Sequence, residues 1–206
     1  MESLHAYIPN DRRMALAEGV ELPERTTGAA LFADISGFTP LTDALVRALG
    51  PQRGAEELPR QLNKIYDALI TQVDQYRGSV LGFSGDAITC WFDDQELHAA
   101  IEPSSTPSPA ALRATACALA MQEAMRQFAQ IEIAGVGVVS LAIKVAVAAG
   151  PVRRFLVGDS AIQTIDVLAG ETLQRLAAAE HQAEKGDVLL DQPAASAIGD
   201  QISIQE

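Results

Sequence analysis

Two aspartates stand out for the residues around them. Asp34 closes a short apolar run, Gly28-Ala-Ala-Leu-Phe-Ala-Asp34, and is followed by Ile35-Ser36-Gly37-Phe38-Thr39. Asp86 follows Phe83-Ser84-Gly85 between two further apolar runs. A carboxylate at the end of a buried strand, then a glycine turn, then a helix start places backbone N–H groups and the positive end of a helix beside an acid. Such N–H groups suit a phosphate. The carboxylate suits a divalent cation, which can bridge the two. If the strand next to Asp86 lies beside that of Asp34, the two acids meet. Two unit charges about 4 Å apart repel by about 4 kcal/mol at an effective dielectric of 20. A bound Mg2+ or Mn2+ would turn that repulsion into coordination, and a pair of ions can activate a hydroxyl and stabilise a leaving phosphate. Each aspartate alone also has a plain structural use, Asp34 as a turn cap and Gly85-Asp86 as hairpin turn chemistry. Ser36 stands where an Asp-x-Asp pair would need its second acid, Phe38 breaks an Asp-x-Ser-x-Ser metal motif, and no G-x-x-x-x-G-K-[ST] occurs.

The elements that must position these residues follow from periodicity. A short helix is expected around Arg12 to Glu18, within an N-terminal arm covering residues 1–27. Gly28 to Asp34 reads as a buried strand. Thr39-Pro40 reads as a helix cap followed by proline at the first helical position, and Gly50-Pro51 as that helix's end. Leu58, Leu62, Ile65, Leu69 and Val73 share one helical face, predicting a second helix over 58–75. Ser79 to Phe83 and Ala87 to Phe92 form a hairpin around Ser84-Gly85-Asp86. Residues 93–109 include Pro103-Ser-Ser-Thr-Pro-Ser-Pro109 and read as a flexible loop. A third helix presents Ala114, Cys117, Ala118, Met121, Met125 and Phe128 on one face. Val138 to Ala149 reads as one long strand, Gly150-Pro151 as a turn, and Val152 to Val157 as a further strand turning at Gly158-Asp159. Thr172 to Glu184 is expected to be helical, and Asp187 to Leu190 a last strand. The order β-α-α-β-β-α-β-(β)-α-β fits an α+β sandwich of the ferredoxin-like βαββαβ kind, with residues 28–206 as a single domain.

Composition narrows the function classes. Over 206 residues, 48% are hydrophobic and 20% charged, enough for one proper core and too apolar for a disordered chain. With 27 acidic and 15 basic residues the formal charge is −12, which disfavours a nucleic-acid binder. A nucleotide whose charge is carried by metal ions remains compatible. No apolar stretch is long enough for a membrane span, and the N-terminus lacks the pattern of a secretory signal. Cys90 and Cys117 form no CxxC pair and read as core residues, so a reduced, cytoplasmic setting is expected. His5, His98 and His181 lack metal spacing and read as surface. So do Asp93-Asp94, Glu56-Glu57 and the pair Arg153-Arg154, the last as a solvated turn with a phosphate contact as the alternative.

Taken together, Leu31-Phe-Ala-Asp-Ile-Ser-Gly-Phe-Thr39 and Gly82-Phe-Ser-Gly-Asp-Ala-Ile88 resemble the class III nucleotidyl cyclase catalytic domain. Within that family the chain is most similar to the first cyclase domain of the soluble-type adenylyl cyclases. Arg53-Gly-Ala-Glu-Glu-Leu58, Lys144-Val-Ala-Val-Ala-Ala-Gly150 and Gly186-Asp-Val-Leu-Leu190 extend the resemblance over roughly residues 28 to 191. It implies that Asp34 and Asp86 are catalytic carboxylates binding two divalent cations, Mg2+ or Mn2+, with the Ile35 carbonyl as a further ligand. It implies that the backbone of Ser36, Gly37, Phe38 and Thr39 holds the triphosphate. The implied reaction closes ATP, or less readily GTP, into a cyclic 3′,5′-monophosphate and releases pyrophosphate. The implied partner is a second cyclase homology domain, another copy or a different one.

The same resemblance marks what is missing. Gly82 stands where the family carries a base-contacting lysine. The partner base reader falls near Val167, with Asp166 one position away. The family's asparagine and arginine fall near Gln174 and Ala178, and the arginine of a bicarbonate site falls at Ala177. Gln174 and Arg175 are the weak candidates for those roles. The metal half is present and the base and transition-state half is absent, as in one half of an asymmetric pair. The alternatives are a catalytically incomplete regulatory or nucleotide-binding module, and a self-sufficient homodimer using Gln174 and Arg175.

Overall fold

The computed structural model of this chain describes residues 8–94, 109–133, 135–159 and 162–199. Its elements are α1 (Asn10–Glu18), β1 (Arg25–Ser36), α2 (Phe38–Leu49), α3 (Pro51–Gln75), β2 (Ser79–Ser84), β3 (Ala87–Asp93), α4 (Ala110–Met125), β4 (Ile131–Ile133), β5 (Gly137–Val139), β6 (Ala142–Asp159), β7 (Gln163–Ala169), α5 (Glu171–Gln182), β8 (Val188–Leu190) and α6 (Gln192–Ile198). The main sheet runs β2-β3-β1-β6-β7, with β8 also on β6. All pairings in it are antiparallel except β6 with β8. This is the expected α+β sandwich.

The alternation of β1 divides the molecule into two layers. Ala29, Leu31, Ala33 and Ile35 point to one face, where Leu41 of α2, Ile65, Leu69 and Val73 of α3, and Ala114, Cys117, Ala118 and Met121 of α4 complete the larger core. Ala30 points to the other face, where Trp91, Ala146, Ala148, Val152, Leu176 and Ala179 form a smaller core under α5. At Gly28 a side chain would run into Trp91 and the Phe92 carbonyl, so the close packing of β1 on β3 requires glycine. Asp34 has the parity of Ala30. It therefore lies on the α5 face, at the end of its strand.

Several expectations are corrected. Strand β1 starts at Arg25, three residues before Gly28. Helix α2 starts at Phe38 with Gly37 as its N-cap, so Thr39 is not the cap and Pro40 is the third helical residue. Helix α3 starts already at Pro51 and contains Pro59. Val138 to Ala149 is not one strand, because β5 leaves the main sheet to pair with the unforeseen β4. Strand β6 runs straight through Gly150-Pro151, where Gly28 and Thr27 of β1 face them in register. Strand β7 and helix α6 were also not foreseen. The proline-rich 103–109 segment falls outside the described residues except for Pro109.

Candidate active site at the end of the first strand

Register brings the two aspartates together. Asp34 pairs with Ala87 across β1 and β3, and the Ile35 N–H donates to the Asp86 carbonyl at 3.3 Å. Asp86 occupies the two-residue loop that joins Ser84 to Ala87. Helix α3 braces this loop from below. The Tyr66 hydroxyl donates to the Gly85 carbonyl at 3.2 Å, and its ring meets Phe83 edge-on, with centroids 5.1 Å apart. Burial pushes the Asp34 carboxyl above the ordinary aspartate range, and the neighbouring Asp86 charge pushes it further.

The turn after β1 supplies the second half of the site. Gly37 has φ +100°, and a Cβ there would strike the Ser140 carbonyl oxygen. Only glycine fits both constraints. The turn sets Phe38 and Thr39 as the first two residues of α2, whose N–H groups have no partner inside the helix. Leu41 N–H closes back on the Gly37 carbonyl at 3.1 Å, and Pro40 has no N–H to satisfy.

A lysine completes the constellation. Lys144 lies directly opposite Asp34 in the β1–β6 register. Its ammonium stands 3.8 Å from Asp34 Oδ2 and 2.5 Å from Glu180 Oε1 of α5. The hydrogen bond to Glu180 raises the Lys144 pKa, so its charge is held fast. Neither Glu180 nor Tyr66 was singled out from sequence. Lys144 had a signal, being the one charged residue in the apolar stretch from Val136 to Ala149.

The donor set fits divalent cations. Mg2+ characteristically takes one or two carboxylates and completes its shell with water and substrate phosphate. Asp34, Asp86 and an adjacent backbone carbonyl provide that much. Among the described residues no cluster of three or more His, Cys, Asp or Glu side chains could hold a metal by itself.

The remaining sequence candidates lie elsewhere. Gln174, Ala177 and Ala178 are exposed on α5. Arg175 donates to Asp191 and to the Ala149 carbonyl, both at 2.8 Å, and so ties α5 to β6 and the start of α6. Gly82 on β2 has open space around it. Arg154 is not in a solvated turn: it is buried, and pairs with Asp166 at 2.7 Å and with Asp11 at 2.5 Å. Arg12 adds two bonds to Asp166, at 2.8 and 3.1 Å. Burial works against the Asp166 charge, but the bonds from Arg12 and Arg154 outweigh it and hold its pKa below the ordinary value. A cavity of about 650 Å³ lies beside this network, between α1 and the β6–β7 arm, away from Asp34. Asp93 is half-buried rather than solvated, and accepts from Thr26 and the Trp91 indole. Cys90 and Cys117 are buried thiols, as expected, and burial pushes Cys117 up to about 12.

Comparison with known proteins gives the family. Residues 22–204 match the family model described as the adenylate and guanylate cyclase catalytic domain. Adenylate cyclase type 10 of Rattus norvegicus is 39% identical over 71 residues, which are 32% of this chain and 4% of that protein. The Homo sapiens protein of the same name is 41% identical over 61 residues, 30% of this chain and again 4% of the relative. The chain thus matches only a small part of the length of these relatives. Among solved structures, the adenylyl cyclase CyaB from P. aeruginosa superposes with a TM-score of 0.65 at 21% identity, covering 84% of this chain and 81% of that one. The guanylate cyclase domain of RhGC from Catenaria anguillulae, in complex with GTP, gives 0.64 at 18%, covering 88% and 87%. At these identities the structural likeness speaks for the fold. With the family model spanning nearly the whole described chain, the protein belongs to the class III adenylate and guanylate cyclase catalytic domain family.

Proposed function

We propose that this domain is the metal- and triphosphate-binding half of a nucleotidyl cyclase that acts on ATP, and less readily on GTP. The observation that carries the reading is the meeting of Asp34 and Asp86 beside the first N–H groups of α2, which have no partner inside the helix. Asp34, Asp86 and the Ile35 carbonyl would hold the two cations. The backbone of Ser36 to Thr39 would hold the triphosphate, and Lys144 would offset part of its charge. When bound, the cations would lower the pKa of the attacking 3′-hydroxyl and stabilise charge on the departing pyrophosphate. The 3′-oxygen would bond to the α-phosphorus as the bond from that phosphorus to the α,β-bridging oxygen breaks, the 3′-hydroxyl proton passing to water and the bridging oxygen leaving with pyrophosphate. A protein of this kind would work in the cytoplasm.

A second cyclase homology domain would complete the site. The positions that would serve a partner's metal half are Gly82, Gln174 and Ala178, and they bear no lysine, asparagine or arginine. Losing one preorganised donor of that sort typically costs about 10²- to 10³-fold in rate. Arg175 does not fill the gap, because Asp191 and Ala149 hold it. The β6–β7 arm exposes Val157 and Ile165, paired directly across its two strands, as apolar surface suited to a second domain. One observation favours the regulatory alternative: Asp166, beside the base-reading position, is locked by two arginines. The test is formation of cyclic product from ATP or GTP with millimolar Mn2+, using the domain alone and then paired with a cyclase domain carrying the missing residues. Product from the pair that disappears with Asp34→Ala supports the half-site. Product from neither supports the regulatory module, and product from the domain alone supports the homodimer.

A further inference from the structure

We propose that Glu180 is a positioning residue for the metal end: it holds the Lys144 ammonium so that Asp34 stays available as a ligand. This rests on reading Asp34 as a metal ligand. The β1–β6 register forces the difficulty, because it places Lys144 straight across from Asp34. An ammonium 3.8 Å from a carboxylate oxygen competes with a divalent cation for that oxygen. The chain nonetheless carries a lysine in the middle of an otherwise apolar strand. Its charge therefore needs a second anion that is not itself a ligand.

Glu180 provides that anion, and a neutral acceptor besides. Its carboxylate reaches the ammonium at 2.5 Å and its carbonyl at 3.4 Å. Glu180 lies next to Ala179, which is buried against the sheet, so packing of α5 fixes where the carboxylate reaches. The Lys144 and Glu180 side chains are each 21% exposed and Asp34 is 27% exposed, so water screens the three charges only in part. Because Glu180 is nearer than Asp34, it takes the larger share of the ammonium's field. Lys144 then remains beside the site, ready for a triphosphate, without neutralising the ligand.

The test is Mn2+ binding to the whole chain without nucleotide, read from the loss of the free Mn2+ paramagnetic resonance signal. Asp34→Asn is expected to weaken binding at least tenfold; an unchanged affinity would overturn the ligand reading and this proposal with it. Glu180→Gln is expected to weaken binding about fivefold, the scale of a partly exposed ion pair. The deciding measurement repeats Glu180→Gln on a Lys144→Met background. If Glu180 acts through the lysine, the second substitution has no effect there. If it weakens Mn2+ equally with and without Lys144, Glu180 acts as a bare charge on the metal and the proposal fails. No weakening in either background overturns it as well. Should Glu180→Gln not fold, Glu180→Asp, which keeps the charge but shortens its reach, carries the same cycle.

Discussion

Two sets of partly buried carboxylates, one at the end of β1 and one between α1 and the β6–β7 arm, are treated in opposite ways. At the end of β1 the Lys144 ammonium meets Asp34 and Glu180, and Asp86 adds a further negative charge beside Asp34. Between α1 and the β6–β7 arm, Asp11 and Asp166 meet two guanidiniums, those of Arg12 and Arg154. The second set balances. Its charges are matched two against two, its bonds are short, and the Asp166 and Arg154 side chains are each only 2% exposed. The first set leaves negative charge over, and burial, then the Asp86 charge, holds the Asp34 pKa above its ordinary value. Burial with complete pairing builds structure. Burial with incomplete pairing, beside the first N–H groups of α2, is the feature on which the proposed cation and triphosphate site rests.

The largest expected effect breaks the balanced set. Arg154→Met removes the cation shared by Asp11 and Asp166 and leaves a buried carboxylate with only Arg12. Breaking a buried ion pair by removing one partner costs about 3–5 kcal/mol. The unfolding free energy from urea titration should fall by that order. Arg12→Met should cost less, because Arg154 still holds Asp166. If Arg154→Met is as stable as the parent, the network is not a structural clamp and the contrast drawn above is lost.

Next in size is Gly37→Ala at the other set. The left-handed backbone and the Ser140 carbonyl both oppose a Cβ, so the loss should be about 1–3 kcal/mol. Unlike Arg154→Met, it should also lower nucleotide affinity, because the turn aims the first N–H groups of α2. Equilibrium binding of a fluorescent triphosphate analogue separates the two variants: reduced for Gly37→Ala, and retained by whatever fraction of Arg154→Met remains folded.

The site was more legible in the sequence than the clamp, for a physical reason. Asp34, Gly37 and Asp86 are constrained by local geometry. A strand end, a positive φ and a two-residue hairpin each leave a mark within a few residues. The meeting of the two carboxylates was only conditional in the sequence, because it depends on β3 lying beside β1, a long-range pairing with no local mark. The clamp has no local mark. Arg12 and Asp166 are 154 positions apart, and Arg154 next to Arg153 reads as any exposed pair until the fold buries one of them. The strand after Gly150 was misread because Gly-Pro commonly turns a chain, whereas β1 here pairs across it. Strand β7 was missed because Asp166 interrupts its apolar pattern. That carboxylate faces Arg12 and Arg154 rather than solvent. Glu180 has no local mark either: only the register of Lys144, opposite Asp34 on β6, brings the ammonium within reach of its carboxylate.

A smaller effect is expected from Tyr66→Phe. It keeps the edge-on contact with Phe83 and deletes one hydrogen bond to the Gly85 carbonyl, so stability should drop by no more than about 1 kcal/mol. If that bond fixes the Asp86 loop, Mn2+ affinity should fall a few-fold in the same variant. Unchanged Mn2+ affinity would show that the hairpin holds Asp86 without help from α3.

The smallest effect is the most telling, because the two sets predict opposite signs. The Asp34 pKa is raised above the ordinary value of 3.8, so the folded chain binds this proton more tightly than the unfolded chain does. Its contribution is therefore full below that value and is lost as pH rises through the folded pKa. At neutral pH, without metal, the ionised Asp34 weakens the fold. Asp166 is lowered below 3.8, so its contribution is present above that value and is lost as pH falls through the folded pKa. Metal-free Asp34→Asn should then unfold at a slightly higher temperature than the parent at pH 7, by less than about 1 kcal/mol because solvent screens the carboxylate. Asp166→Asn should unfold at a lower temperature. The gain of Asp34→Asn should shrink as pH falls through the raised Asp34 pKa and be gone below about 4, where the carboxyl is protonated in both folded and unfolded chains. Millimolar Mn2+ should reverse the order of Asp34→Asn and the parent, because only the parent gains stability from binding the ion. A destabilised Asp34→Asn without metal would mean that Lys144 already balances this end, and the two sets of aspartates would no longer differ in kind.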